Sequence, residues 1–190
     1  MKGTKERIIE ATAGLLMRQG LAGTGLKQIS SQSGAALGSL YHFFPGGKDD
    51  LAADALRVAG RSYLHLIDDY FTGRTDLVEA TEGFFEGAAA VLEATDYADA
   101  CPIATVALEV ASTNDMLRQV TADVFAEWID VGAQRFAEMG VSPDVARELV
   151  TVTIAALEGG FLLCRAAKST DAMRVIGRNM AALVAHRLGR

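Results

Sequence analysis

Apolar residues recur every three or four positions along most of the chain, the spacing that places them on one face of an α-helix. No segment sustains the alternation of apolar and polar residues that predicts a β-strand. The chain is also rich in Ala, Leu, Glu and Arg, which favour helices. The pattern predicts an all-α fold with nine helices, at about 4–20, 25–32, 37–43, 48–71, 75–95, 102–112, 115–139, 143–167 and 170–188.

The three prolines mark positions where helices are expected to begin. Pro102 and Pro143 can each occupy the first position of a helix, where the missing amide hydrogen costs least. Ser142 is then a candidate N-cap for the later helix. Pro45 lies in a Pro-Gly-Gly turn, after which Lys48 and two acidic residues form a first helical turn that suits the helix dipole.

The composition is that of a globular protein. Half of the 190 residues are hydrophobic and 22% are charged, whereas disordered chains are poorer in apolar residues. The most apolar stretch, from Ile154 to Cys164, is interrupted by Glu158 and is shorter than the roughly 18 residues of a membrane span. The N-terminus lacks the continuous apolar region of a signal peptide. We therefore expect a cytoplasmic protein that has no membrane partner.

Charge is unevenly distributed along the chain. Residues 1–48 carry six Lys and Arg against two Glu, a net charge of +4, whereas the remainder carries −10. A basic N-terminal part on an acidic body is compatible with contact to nucleic acid, and equally with ordinary solubilising charge.

Residues 24–34 have the features of a short helix that ends in a tight turn. Thr24 is a candidate cap for this helix, on which Leu26 and Ile29 share one face. Gly34 can take the left-handed conformation in which helices commonly end. A second short helix follows two residues later.

The second short helix has two distinct faces. Its inner stripe is predicted to contain Leu37, Leu40, Tyr41 and Phe44. Its outer face is predicted to contain Gly38, Ser39, His42 and Phe43. Two short helices joined by a glycine turn, with a small and polar outer face on the second, predict a helix-turn-helix whose second helix enters the major groove of DNA.

This segment resembles the TetR family of bacterial transcription repressors. The resemblance is carried by Thr24, Ile29, Gly34, Gly38, Ser39, Leu40, Tyr41, Phe44, Lys48 and Leu51, with helix 1 in register before them. The PGGK turn and the CPIATVALEVAS segment resemble the LmrA/YxaF-like branch of that family. The resemblance implies a nine-helix TetR-like architecture, with a DNA-binding domain at 1–47 and an effector-binding and dimerisation domain at 48–190.

The chain departs from the family's usual pattern at Phe43 and at Ala35, Ala36 and Leu37, where the family usually has valine, serine and lysine. Ala36 cannot supply a capping hydroxyl, and Leu37 replaces a residue that is often lysine. Phe43 stands where a histidine or tyrosine often reaches the DNA backbone. These changes remove hydrogen-bond donors, so we expect either the affinity or the operator preference to differ from the usual pattern.

The resemblance implies a set of DNA-binding residues: Thr24, Lys27, Leu37, Gly38, Ser39, Tyr41, His42 and Lys48. Lys27, Tyr41 and Lys48 would hold phosphates, while Ser39 and His42 would face the groove. Leu37 could contact a thymine methyl group. Tyr41 could equally be a core residue, and His42 could be exposed without a contact.

The resemblance further implies a homodimeric repressor that binds a palindromic operator and is released by a small hydrophobic or aromatic effector. The candidate effector-binding residues are Phe84, Phe85, Glu109, Met116, Phe125, Trp128 and Glu158. Each of the aromatic residues could instead be packed core. Glu109 and Glu158 interrupt apolar helices, where a buried carboxylate needs a partner. The candidate dimer interface contains Leu157, Phe161, Met173, Ile176, Met180 and Leu183.

Other functions are less well supported by the sequence. It contains no glycine-rich phosphate loop, HExxH or GxSxG motif, so no catalytic activity and no cofactor are expected. Cys101, Cys164 and three scattered histidines do not form a metal-binding pattern. Cys101, near a predicted helix start, is the candidate for redox control, and transcriptional activation by the same fold is a further alternative.

Overall fold

The computed structural model of this protein describes residues 2–190. Over that range the chain forms nine α-helices: α1 (Thr4–Gln19), α2 (Leu26–Ser33), α3 (Leu37–Phe43), α4 (Lys48–Phe71), α5 (Leu77–Ala94), α6 (Pro102–Val110), α7 (Asp115–Glu138), α8 (Pro143–Ala167) and α9 (Asp171–Arg187). No β-strand occurs among these residues. The predicted all-α fold is confirmed, and the predicted helix ends agree to within two residues.

The prolines begin helices as predicted. Pro102 and Pro143 are the first residues of α6 and α8. The Sγ atom of Cys101 caps α6 by accepting a hydrogen bond from the amide of Ala104 at 3.4 Å. Ser142 occupies the N-cap position of α8, but its side chain makes no capping hydrogen bond. The sequence therefore predicted the N-cap position correctly, but the Ser142 hydroxyl does not make the hydrogen bond expected of a cap.

A carboxylate cap fixes the start of α5. One oxygen of Asp76 accepts hydrogen bonds from the amides of Val78 at 2.8 Å and Glu79 at 3.2 Å. These backbone bonds hold the pKa of Asp76 below its usual value, and the nearby guanidinium of Arg190 acts in the same direction. The cap therefore depends on the ionised carboxylate.

The chain divides into two compact units. Unit 1 comprises the chain up to Ser62 together with Cys101–Phe125, and unit 2 comprises Tyr63–Ala100 and Ala126–Arg190. Helices α4 and α7 each contribute residues to both units. The sequence predicted a boundary after residue 47 between a DNA-binding and an effector-binding domain. That boundary concerns function, whereas the two units are defined by packing, so it stays a prediction.

The core of unit 1 forms around α1, which packs against α2, α3 and α6. Its fully buried apolar side chains include Ile8, Leu16, Ile29, Leu40, Leu51 and Ile103. Ile103 belongs to α6, so the core around the helix-turn-helix includes residues from much later in the chain.

In unit 2, α5 packs along α9, and α8 packs against both. The closest approach occurs at Gly177 of α9, where an added Cβ atom would lie 2.7 Å from the Cβ of the fully buried Phe85. Aromatic rings fill much of the adjacent core: Phe71 lies 5.6 Å from Phe84 and 5.2 Å from Phe136, measured between ring centroids. Such tilted arrangements are favourable for aromatic pairs.

Helix α8 is long and apolar enough to cross a bilayer by length and composition. Of its most apolar 18-residue window, 39% is buried inside the protein. A core helix of a soluble protein meets the same criteria, so this property is weak evidence for a membrane span. The exposed side of α8 does, however, carry a stripe of apolar residues, which is relevant to whether two copies of the chain associate.

Candidate nucleic-acid interface and ligand sites

The turn between α2 and α3 is closed by glycine and two serines. Gly34 ends α2 in the left-handed conformation, with φ of 64° and ψ of 19°, as the sequence predicted. The Ser30 hydroxyl donates to the carbonyl oxygen of Ala35 at 2.6 Å, and the Ala35 amide donates to the Ser33 hydroxyl oxygen at 3.3 Å. These bonds fix the direction in which α3 leaves the turn.

Helix α3 is anchored by fewer residues than the sequence suggested. Leu40 and Phe44 are buried, but Tyr41 is 54% exposed and Leu37 is 36% exposed. The prediction that all four form one inner stripe is therefore wrong for Leu37 and Tyr41. The reason is geometric, because Tyr41 lies about 100° around the helix from Leu40 and Leu37 is the first residue of a short helix.

The exposed face of α3 offers several kinds of contact. It carries the hydroxyl of Tyr41 and the imidazole of His42, whose ring meets that of Phe43 edge-on at 5.1 Å. Ser39 is half-buried, and a Cβ atom added at Gly38 would meet no atom within 4 Å. Because Gly38 has no side chain, α3 can approach another surface closely at this position.

The N-terminus of α3 lacks a side-chain cap, as the alanine at position 36 predicted. Ala36 is the N-cap, and no side chain bonds the first amides of the helix. The amide of Ser39 bonds the carbonyl oxygen of Ala36 at 2.8 Å.

The candidate phosphate-binding residues differ in accessibility. Lys27 is exposed on α2. Lys48 is half-buried at the start of α4 and lines an open groove of about 560 Å³ together with Leu21, Ala22, Asp49, Glu109, Val110, Thr113 and Asn114. Thr24 is 1% exposed, and its hydroxyl donates to the carbonyl oxygen of Gly20 at 2.6 Å. The predicted capping role of Thr24 is wrong, since Gly25 is the N-cap of α2.

The basic residues of α1 contact other parts of unit 1. Lys5 lies 3.3 Å from a carboxylate oxygen of Asp54, and its ammonium lies over the ring of Phe44. Arg7 donates from Nε to the carbonyl oxygen of Ser33 at 3.2 Å. These side chains join α1 to the segments around the helix-turn-helix.

The candidate effector-binding residues do not all lie in one unit. Phe84, Phe85, Trp128 and Glu158 belong to unit 2, whereas Glu109, Met116 and Phe125 belong to unit 1. Phe84 and Phe85 pack against each other, with ring centroids 5.9 Å apart, and Trp128 stacks on Tyr63 at 5.3 Å. Glu158 is half-buried and has an interaction partner.

Two of the three unit 1 candidates, Met116 and Glu109, have other surroundings. Met116 is 43% exposed and lines a groove of about 330 Å³ with Phe43, Phe44, Asp50, Ala53, Asp54 and Arg57. Glu109 is exposed, and its carboxylate accepts hydrogen bonds from the amides of Leu21 and Ala22. The premise that Glu109 is a buried carboxylate is therefore wrong. An apolar helix predicts burial of one face only, and Glu109 lies on the other face, beside the 83% exposed Leu108.

Most of the candidate dimer-interface residues are packed inside unit 2. Leu157, Phe161, Met173 and Met180 are buried around Phe85, and Ile176 and Leu183 pack against the same cluster. Their part in a dimer stays a prediction. The large exposed apolar residues of α8 and α9 are instead Val152, Leu162, Leu163 and Val175, none of which is among the predicted interface residues. The i, i+3, i+4 spacing could have identified the outer stripe once the inner one was assigned.

The two cysteines are both buried and reduced. Cys101 is 1% exposed and caps α6, while Cys164 lies in the core of unit 2. No group of three or more His, Cys, Asp or Glu side chains suited to a metal ion occurs within residues 2–190.

The three N-terminal helices, with a glycine turn and an outward-facing third helix, have the geometry of a helix-turn-helix protein. Comparison with known proteins gives the same class. Residues 8–55 match the profile of bacterial regulatory proteins of the tetR family, and residues 78–179 match the C-terminal domain of LmrA/YxaF-like transcriptional regulators.

Individual relatives extend over nearly the whole chain. The uncharacterized HTH-type transcriptional regulator YxaF of Bacillus subtilis is 34% identical over 181 residues, 95% of each protein. The HTH-type transcriptional regulator LmrA of the same organism is 34% identical and covers 88% of this chain and 89% of its own length. A TetR regulatory protein from Rhodobacter sphaeroides superposes with a TM-score of 0.83 at 20% identity, over 93% of this chain and 96% of that one.

The chain therefore belongs to the TetR family of helix-turn-helix transcriptional regulators, in its LmrA/YxaF-like branch. The matched families consist of transcriptional regulators, which are not enzymes.

Proposed function

We propose that this regulator is a cytoplasmic homodimeric repressor, that α3 of each protomer reads one half of a palindromic operator, and that a small hydrophobic or aromatic effector releases the DNA. The observation that carries the DNA interface is the outward face of α3, where Leu37, Gly38, Tyr41 and His42 are exposed. Leu40 and Phe44 anchor the opposite face. A recognition helix needs this division between an anchored and a free side.

Each exposed group on α3 suits a different contact. The imidazole of His42 can hydrogen-bond a base edge, and Leu37 can pack against a thymine methyl group. The hydroxyl of Tyr41 and the ammonium of Lys27 can bind phosphate. The net charge of +4 over residues 1–48 favours such contacts although the whole chain is acidic.

The dimer proposal is supported by the exposed stripe on α8. Val152, Ala155, Gly159 and Leu162 follow one another at steps of three or four residues, so they share one helix face. A Cβ atom added at Gly159 would meet no atom within 4 Å, so this glycine leaves a shallow place for a second helix. Apolar exposed faces of this kind mark interaction surfaces, and a second copy would complete a two-fold helical interface.

The effector proposal is supported by the aromatic core of unit 2. Phe84 is only partly buried and contacts Tyr70, Phe71 and Phe85. Aromatic walls suit an apolar or aromatic ligand. Such a ligand can release DNA only if it binds the DNA-incompetent conformation more tightly than the competent one.

The operator proposal can be tested by selecting bound sequences from a random duplex pool at fixed, near-physiological salt. Salt must be fixed because nonspecific affinity changes steeply with it. We expect enrichment of an inverted repeat with half-sites about one helical turn, or a multiple of it, apart. A folded sample that enriches no motif, or only a single half-site, would contradict the proposal.

The effector proposal has a direct optical assay. Trp128 is the only tryptophan of the chain and is buried against Tyr63. Apolar and aromatic compounds that change its fluorescence should also lower operator affinity in a saturable way. The effector proposal fails if every compound that binds the protein leaves operator affinity unchanged.

A further inference from the structure

The turn between α1 and α2, residues 20–25, determines how the helix-turn-helix follows α1. Its carbonyl groups are bonded locally. The Gln19 side chain donates from Nε2 to the carbonyl oxygen of Gly23 at 2.7 Å, and the Thr24 hydroxyl donates to that of Gly20 at 2.6 Å. The Thr24 amide closes the turn by bonding the carbonyl oxygen of Leu21 at 3.2 Å.

Two amides of this turn are bonded by a residue from α6. The amide of Leu21 donates to Oε1 of Glu109 at 3.1 Å, and that of Ala22 donates to Oε2 at 2.7 Å. We call this contact the Glu109 clasp. Both carboxylate oxygens are used, so one side chain fixes two successive peptide groups. Hydrogen bonds to an ionised acceptor are stronger than those between neutral groups.

The turn is shaped to receive this carboxylate. Gly20 has φ of 71° and ψ of −175°, a conformation essentially restricted to glycine. A Cβ atom at Gly20 would lie 1.7 Å from Oε1 of Glu109. The backbone conformation and the missing side chain thus both fit the position of the carboxylate.

The position is otherwise unfavourable for an acid. Leu21 and Ala22 follow the C-terminal end of α1, where the helix dipole disfavours negative charge. A carboxylate is stable there because the two amides point at it.

A second bond from the segment after α6 reaches the start of α4. The Asn114 side chain donates from Nδ2 to Oδ2 of Asp49 at 2.7 Å, and its oxygen accepts from the amide of Leu117 at 3.1 Å. Asp49 adjoins Lys48, the candidate phosphate ligand. The α6–α7 region therefore bonds the elements on both sides of the helix-turn-helix within unit 1.

We infer that Glu109 is a positioning residue for DNA binding. It holds the α1–α2 turn so that α2 and α3 keep the orientation in which the exposed face of α3 can enter the groove. Glu109 itself contacts no DNA. The inference deepens the proposed operator binding and depends on it, but the clasp can be measured without DNA.

The test compares Glu109→Ala and Glu109→Gln with Glu127→Gln, which removes the same charge from an exposed position of α7. Amide hydrogen exchange at Leu21 and Ala22 is measured by NMR in full-length protein, and operator affinity is measured at fixed salt. In Glu109→Ala we expect exchange at both amides to accelerate about tenfold and operator affinity to fall about tenfold, since a bond to a charged group is lost. Glu109→Gln keeps one acceptor oxygen and should give a smaller change of both. Glu127→Gln should behave as wild type.

Unchanged exchange at both amides in Glu109→Ala would show that the Glu109 clasp does not hold the turn. Faster exchange with unchanged operator affinity would overturn the positioning role. If Glu109→Ala does not fold, the same two measurements on Glu109→Gln decide the question. Failure of the wild-type protein to bind any operator would contradict the proposed function and the positioning role together, whereas the exchange measurement would still decide whether the carboxylate holds the turn.

Discussion

Replacing Leu162 by alanine should weaken the proposed dimer strongly. Leu162 lies on the outer face of α8 and is 69% exposed in the protomer. Complete burial of a leucine side chain contributes about 1.5–3 kcal/mol, so covering the exposed part contributes roughly 1–2 kcal/mol. In a two-fold interface the substitution occurs twice. The total loss is about 2–4 kcal/mol, which raises the dimer dissociation constant about 30-fold to almost 1,000-fold.

The chain offers a matched control for this substitution. Leu108 is 83% exposed but lies on α6 in unit 1, outside the proposed interface. Leu108→Ala removes the same atoms and should leave the dissociation constant unchanged. Sedimentation equilibrium over a range of protein concentrations measures both variants against wild type, and circular dichroism confirms that they are folded.

A folded Leu162→Ala variant that dimerises as tightly as wild type would refute the proposed interface on α8. An equal weakening of the dimer in Leu108→Ala would also refute it, because the effect would then follow from lost hydrophobicity in general.

Three further substitutions test helix packing, a helix cap and phosphate binding. Gly177→Ala should lower the melting temperature, because the new Cβ would lie 2.7 Å from the Cβ of Phe85. Gly83→Ala is the control: its Cβ meets nothing within 4 Å, so the substitution should raise the melting temperature by about 2–4 °C. Equal shifts in the two variants would contradict the close approach of α9 to Phe85. Asp76→Ala should destabilise the protein at neutral pH, because the amides of Glu79 and Val78 and the charge of Arg190 stabilise the ionised carboxylate and thereby lower its pKa. The difference from wild type should fade as the pH falls below the ordinary carboxyl pKa of 3.8. A constant difference in thermal melts from pH 7 to 3 would contradict this role of the cap. In the proposed dimer Lys27→Ala removes one phosphate contact from each protomer, so it should reduce the slope of log affinity against log salt by about 1.8 without changing the preferred sequence. An unchanged slope would mean that Lys27 binds no phosphate.

The sequence predicted the helices well because their boundaries have local causes. Pro102 and Pro143 begin helices and Gly34 ends one, and each acts through its own backbone chemistry. The resemblance of residues 24–51 to a helix-turn-helix was likewise carried by residues close together in the chain. Local signals of this kind need no knowledge of tertiary packing.

The errors concern contacts between distant segments. Glu109 was taken as a buried carboxylate, but its partners, Leu21 and Ala22, lie far away in the sequence and use backbone amides that any residue possesses. The burial of Leu157 and Met173 beside α5 within unit 2 was likewise not visible in the sequence, and their part in a dimer stays a prediction. Periodicity shows that a face is apolar, and it does not show which neighbour covers that face.

The same limit explains Thr24. Its hydroxyl could have capped α2, but Gly25 intervenes as the N-cap and the hydroxyl bonds Gly20 instead. A shift of one residue at the helix start changed the role of the side chain.

The central claim, that the exposed face of α3 reads the operator, is tested most directly by replacing His42. Affinity for the selected inverted repeat, and for repeats altered at one base pair in each half-site, is compared among wild type, His42→Ala and His65→Ala at fixed salt. His65 is exposed on α4 in unit 2 and serves as the control. We predict that His42→Ala loses about 1 kcal/mol in each half-site, about 30-fold overall, and no longer distinguishes one base pair per half-site, while His65→Ala binds as wild type. Unchanged affinity and unchanged preference in His42→Ala, or an equal loss in His65→Ala, would contradict the account.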